Sequence, residues 1–277
     1  MAVVLALMAA AIYGVSDFLG GLASRSAKAL TVLVYNYPFG ALVMAGLLPF
    51  FPGHVSAATL AYSCAGGAMG LIGVALLYSA LAIAPMNIVS PITAVMTAVV
   101  PVVFGVITGE RPHALAWFGM VVGLVAVVLI SRTPADHPHG PPGLRPILMS
   151  VVAGIGFGGY FICLARSGSD SGLWPVVIAR VAAAALVIPA ALRTQAIAKL
   201  PWPVMRLALG SGILDAGANL FFLLATRHGY LSIASVITAL YPAGTVALAA
   251  WVLHERTGRW QRVGLLLAAG SVVLVAR

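Results

Sequence analysis

The chain has 277 residues, 62% of them hydrophobic and only 8% charged, with a mean hydropathy of +1.08. A water-soluble domain carries roughly a quarter charged residues, so this composition excludes one: too few polar side chains exist to cover its surface. The formal charge of +9 comes from fifteen Lys and Arg residues set singly or in pairs between apolar runs; no basic stripe or aromatic-basic interleaving marks a nucleic-acid partner, and the expected partner is the lipid bilayer.

About 20 residues of helix cross the hydrocarbon layer. Ten segments reach that length: 2–22, 31–49, 57–79, 85–107, 113–130, 147–166, 172–191, 204–225, 231–253 and 260–276. The first lacks a basic leader region and reads as a spanning helix rather than a cleaved signal. It carries Tyr13 and Asp17. Charge at membrane depth is expensive and seeks a bundle interior, a wet cavity or a partner, which makes Asp17 a candidate for substrate binding or coupling, although Arg25 and Lys28 follow closely enough for an interfacial reading. Cys64, in the third segment, and Cys163, in the sixth, read as small apolar core residues.

The fourth segment holds Asn87, Ser90, Pro91, Thr93, Thr97 and Pro101, and the ninth holds Ser232, Ser235, Thr238, Tyr241 and Pro242. Each proline frees an upstream carbonyl that a substrate or water can use beside a cavity. These two helices are therefore the expected cavity walls, with Asn87, Ser90, Ser235 and Tyr241 as candidates. Between the halves, residues 133–146 form a Pro-rich linker whose His137 and His139 lack further metal ligands. Gly154 to Gly159 looks glycine-rich but sits inside the sixth helix rather than opening a strand-turn-helix phosphate site. Arg180 in the seventh segment and Asp215 in the eighth join Asp17 as ionisable residues within spans, and Tyr13, Asn36, Tyr160 and Asn219 complete the polar set. Arg180 is expected to pair with Asp215 or Asp17, either to hold an anionic group while an aspartate meets a proton or an amine, or only to fix helix packing.

Gly109-Glu110-Arg111 returns as His254-Glu255-Arg256, and the helix ends at 127–132 and 272–277 repeat at the same offset of 145 residues. Ser90 and Ser235 obey that offset; Asn36 and Arg180 correspond at 144. Glu110, Arg111, Glu255 and Arg256 read as a structural repeat pair, each glutamate capping the next helix or pairing with a basic residue. The expected fold is all-α, a polytopic membrane protein of ten transmembrane helices in two five-helix repeats, 1–132 and 147–277. Because five is odd, the second repeat enters from the opposite face and is inverted. Inverted repeats are the usual construction of an alternating-access carrier. Ten basic residues fall in the odd-numbered loops against four in the even loops and C-terminus, which puts both termini outside by the positive-inside rule. No ATP-binding, zinc-protease or nucleophile motif is present, so no enzyme activity and no cofactor are expected.

The duplicated Glu-Arg pair, the proline-bearing fourth and ninth helices, and the stretches Tyr13 to Phe18, Leu76 to Arg111 and Phe222 to Arg256 resemble the EamA family of the drug/metabolite transporter superfamily. That resemblance implies a proton- or gradient-driven carrier in a bacterial inner membrane, commonly an exporter of amino acids, other small metabolites or drug-like molecules. It implies a central cavity between helices 1, 3, 4, 6, 8 and 9, with Asp17, Ser90, Asp215, Ser235 and Tyr241 as lining candidates; Arg180 lies outside that scheme. It also implies cytoplasmic termini, opposite to the charge count. A membrane-embedded sensor or scaffold, or an intramembrane enzyme, are the competing readings.

Overall fold

Inside lipid a backbone must satisfy its own hydrogen bonds, and a helix does so within one segment. The computed structural model describes residues 1–81, 83–84, 86–131, 143–252, 254 and 258–276, without the side chains of Tyr78, Met86, Asn87 and Ala249. Its helices are α1 (Ala2–Ser24), α2 (Ala29–Leu47), α3 (Ala57–Leu81), α4 (Met86–Ile107), α5 (Ala114–Ile130), α6 (Leu144–Ala165), α7 (Trp174–Arg193), α8 (Trp202–Arg227), α9 (Leu231–Thr238), α10 (Pro242–Val252) and α11 (Arg259–Ala276). Among the described residues nine helical segments, counting Leu231–Val252 as one, are long and apolar enough to cross a membrane. The 17 residues of α5 span about 26 Å, slightly less than the hydrocarbon layer. The protein is an all-α polytopic membrane protein. Leu42, Ile107 and Leu266 project outward with 68%, 77% and 76% of their surface exposed, a disposition that only a lipid surround stabilises.

The expected ninth helix is not continuous. α9 stops at Thr238, and the chain tightens to three-residue bonds, Leu240 N–H to the Ile237 carbonyl and Tyr241 N–H to the Thr238 carbonyl, before α10 begins. Pro242 is the physical reason: it has no N–H to continue the ladder, and its ring displaces the preceding turn. Tyr241 sits at this joint.

Helix pairs meet where glycine removes the side chain. Cβ atoms added at Gly154 and Gly158 of α6 would lie 2.4 Å from Met96 Cβ and 2.8 Å from Val100 Cβ on α4, so the glycine-rich run is a packing surface. The order of these contacts runs the same way along both chains, and α4 and α6 are parallel. On α5 and α11 the order reverses: Gly119 meets Val275, Gly123 meets Ser271, and Ile130 meets Gly264. α1 packs on α8 and α3 on α6, also with reversed order, as in Gly66 against Cys163 and Gly73 against Ala153. Cys163 is buried as expected, but Cys64 is exposed, because its neighbours Gly66 and Gly67 rather than its own face turn toward α6 and α7.

Candidate functional site

α8 carries Ser211, Asp215 and Asn219 at four-residue spacing, which places them one above another on a single stripe. This stripe faces α1. Tyr13 Oη donates to Asn219 Oδ1, and Ser16 Oγ donates to the Ser211 carbonyl at 2.9 Å. Asn219 Nδ2 donates back to the Asp215 carbonyl at 2.7 Å and to its Oδ2 at 3.3 Å, so the amide orients the carboxylate.

Arg180 of α7 closes the network. Its Nη2 forms an ion pair with Asp215 Oδ2, its Nη1 reaches Asn36 Oδ1 at 3.5 Å, and Asn36 Nδ2 donates to Ser211 Oγ at 3.2 Å. Its guanidinium lies 5.7 Å from the Tyr37 ring centre. Room for this cation exists because α2 has Gly40, where a Cβ would fall 2.4 Å from Nη1. The pair is lopsided: Arg180 is 2% exposed and Asp215 28%. With the cation buried and the carboxylate partly exposed, the negative end of the pair is the one at the surface.

Asp17 lies one turn beyond Tyr13 on the same side of α1, which is otherwise buried at Ala6, Ala10, Tyr13 and Gly14. Its side chain is nevertheless exposed. Gly21, a further turn along that side, has nothing within 4 Å of an added Cβ. The inward side of α1 therefore opens into free space from Asp17 onward. Asp17 has no ion-pair partner among the described residues, and it is within electrostatic range of Asp215 and Tyr241.

The remaining candidates fall elsewhere. Ser235 is wholly buried in α9, and its Oγ, like that of Ser232, has no hydrogen-bond partner among the described residues. Ser90 is half-buried on α4; the side chain of Asn87 lies outside the described residues, as do Glu255, Arg256, His137 and His139. Glu110 does not cap the helix that follows it. His113 does so, its Nδ1 accepting from Ala116 N–H at 3.2 Å. The Glu110 carboxylate instead accepts from Leu231 N–H at 2.6 Å and Ser232 N–H at 3.0 Å, across the molecule at the start of α9. Arg111 bonds the Val106 and Glu110 carbonyls. A recess of about 220 Å³ between α1, α10 and α11, lined by Leu7, Ala11, Ala243 and Val272 among others, has no polar side chain in its lining and holds none of the candidates. No cluster of metal-ligating side chains occurs among the described residues.

Ser16, Ser211 and Tyr37 join the network beside the expected polar residues Tyr13, Asn36 and Asn219. The stripe of Ser211, Asp215 and Asn219 is readable from spacing alone, and Asn36 is legible as a polar residue within a span and as the positional counterpart of Arg180.

The model of the EamA-like transporter family matches residues 1–132 and again 144–277. Among curated proteins no significant match is found. A solved crystal structure, described only as that of a protein, superposes with a TM-score of 0.80 at 16% identity, covering 99% of this chain and 98% of the other. At that identity the likeness is one of fold.

Proposed function

The chain belongs to the EamA-like transporter family, and on that premise we propose that it is a gradient-driven secondary transporter that exports a small metabolite, such as an amino acid or drug-like compound, from a bacterial cell by alternating access. It is a polytopic membrane transporter, not an enzyme. The observation that carries the finer reading is the polar network at membrane depth, in which Tyr13, Ser16 and Asn36 of the first matched segment bond to Arg180, Ser211 and Asn219 of the second. Ionisable groups at that depth mark solute pathways, and a site shared between two units changes its exposure when one unit rocks against the other.

Two inverted repeats, 1–132 and 147–277, supply that motion in this proposal. The opposed directions of α5 and α11 support the inversion, as do the matching interfaces α1–α8 and α3–α6. Proton coupling would act at a carboxylate with exposed surface, and in this proposal Asp17 and Asp215 are the candidates.

Counterflow in sealed liposomes tests the proposal. Vesicles loaded with an amino acid or cationic-drug mixture should accumulate labelled members of it, and a pH gradient should change the rate. Protein-free rates across the whole panel would overturn the carrier reading in favour of a sensor or scaffold.

A further inference from the structure

We propose that the site recognises organic cations, amines carried on an aromatic or apolar body, and that Asp17 is the residue that holds their charge. This rests on the transporter reading and narrows it.

The acidic and basic side chains of the network region are Asp17, Arg180 and Asp215, with Asp17 within electrostatic range of Asp215. Arg180 and Asp215 cancel each other through their ion pair. Asp17 has no such partner among the described residues, so an organic cation would meet there a carboxylate that no basic side chain already holds. An anion would have to displace Asp215 from a guanidinium that is 2% exposed, with Asp17 and the displaced carboxylate both within the same region. Sign and access therefore agree.

Aromatic rings flank the network. Tyr13 and Tyr241 rings lie 6.3 Å apart, Tyr13 and Phe161 also 6.3 Å, and Tyr160 and Phe161 6.2 Å. Tyr13 and Tyr241 are both within electrostatic range of Asp17, and Tyr160 is within range of Asp215. Aromatic faces attract cations and give little to anions. Free space at Gly21 gives the entering group a route to the carboxylate.

The test is binding to the full chain in detergent, by calorimetry, of benzyltrimethylammonium, with benzoate and benzyl alcohol as anionic and neutral counterparts. The cation should bind more tightly than either. Asp17→Asn should weaken it at least about tenfold, a loss of roughly 1.4 kcal/mol, while Asp17→Glu stays within about threefold of the parent chain. Unchanged gel-filtration profiles would show that both variants fold. Equal or tighter benzoate binding, no cation binding, or an undiminished cation affinity in Asp17→Asn would overturn the inference. Liposome counterflow of an anionic or neutral solute would sink it while leaving the carrier reading intact; absence of any flux would sink the carrier reading itself.

Discussion

The carboxylate of Glu110, just past the end of α4, accepts the backbone N–H of Leu231, the first residue of α9, at 2.6 Å. Sequence distance between them is 121 residues. Gly109 makes this reach feasible: its φ of +102° turns the chain out of the helix, and Gly105 leaves the space a Cβ would take, 2.4 Å from the carboxylate. A negative charge on the free N–H groups of a helix start is favourable by position as well as by hydrogen bonding. Glu110→Ala should cost about 1–2 kcal/mol, seen as a lower thermal midpoint in detergent, and Glu110→Gln should lose less. Equal midpoints for all three chains would remove the cap from the account.

The unequal exposure of Arg180 and Asp215 predicts unequal costs. Asp215→Leu strands a cation that water cannot reach, a loss of about 3–5 kcal/mol. Arg180→Met leaves a carboxylate with partial access to water and should cost less. The double variant should be more stable than Asp215→Leu alone, because no buried charge remains. Chemical unfolding of the three variants checks this; strictly additive losses would contradict the pairing.

Removing the hydroxyl of Tyr13 leaves Asn219 Oδ1 without its donor. Tyr13→Phe should cost about 1–3 kcal/mol and slow counterflow, since the amide then loses its hold on the Asp215 carboxylate. A thermal midpoint and flux both equal to the parent's would show that the bond is incidental.

Glycine contacts separate packing from open space. Ala at position 67 would put its Cβ 2.2 Å from the Ala179 carbonyl oxygen, backbone that cannot yield, whereas Ala at 21 meets nothing within 4 Å. Gly67→Ala should reduce folded yield sharply and Gly21→Ala should not. Yields measured by fluorescence-detected gel filtration decide it.

Composition made the membrane class and the helical segments legible, because apolar length is set by bilayer thickness alone. Arg180 and Asp215 also stood out, since charge in a span demands a partner. Other features depended on tertiary approach. Nothing local in Glu110 says that its acceptor serves a helix of the other matched segment. The Pro242 break was partly hidden, because membrane helices often tolerate proline. Exposure of Asp17 on an otherwise buried side of α1 is a property of the assembled bundle, and no periodicity in the sequence encodes it.

Accessibility of position 17 probes alternating access most directly. In a chain with Cys64 and Cys163 replaced by serine, Asp17→Cys would be treated with a membrane-impermeant cationic thiosulfonate from either side of uniformly oriented sealed vesicles. The account predicts labelling from both sides. Labelling from one side alone under every condition would contradict it.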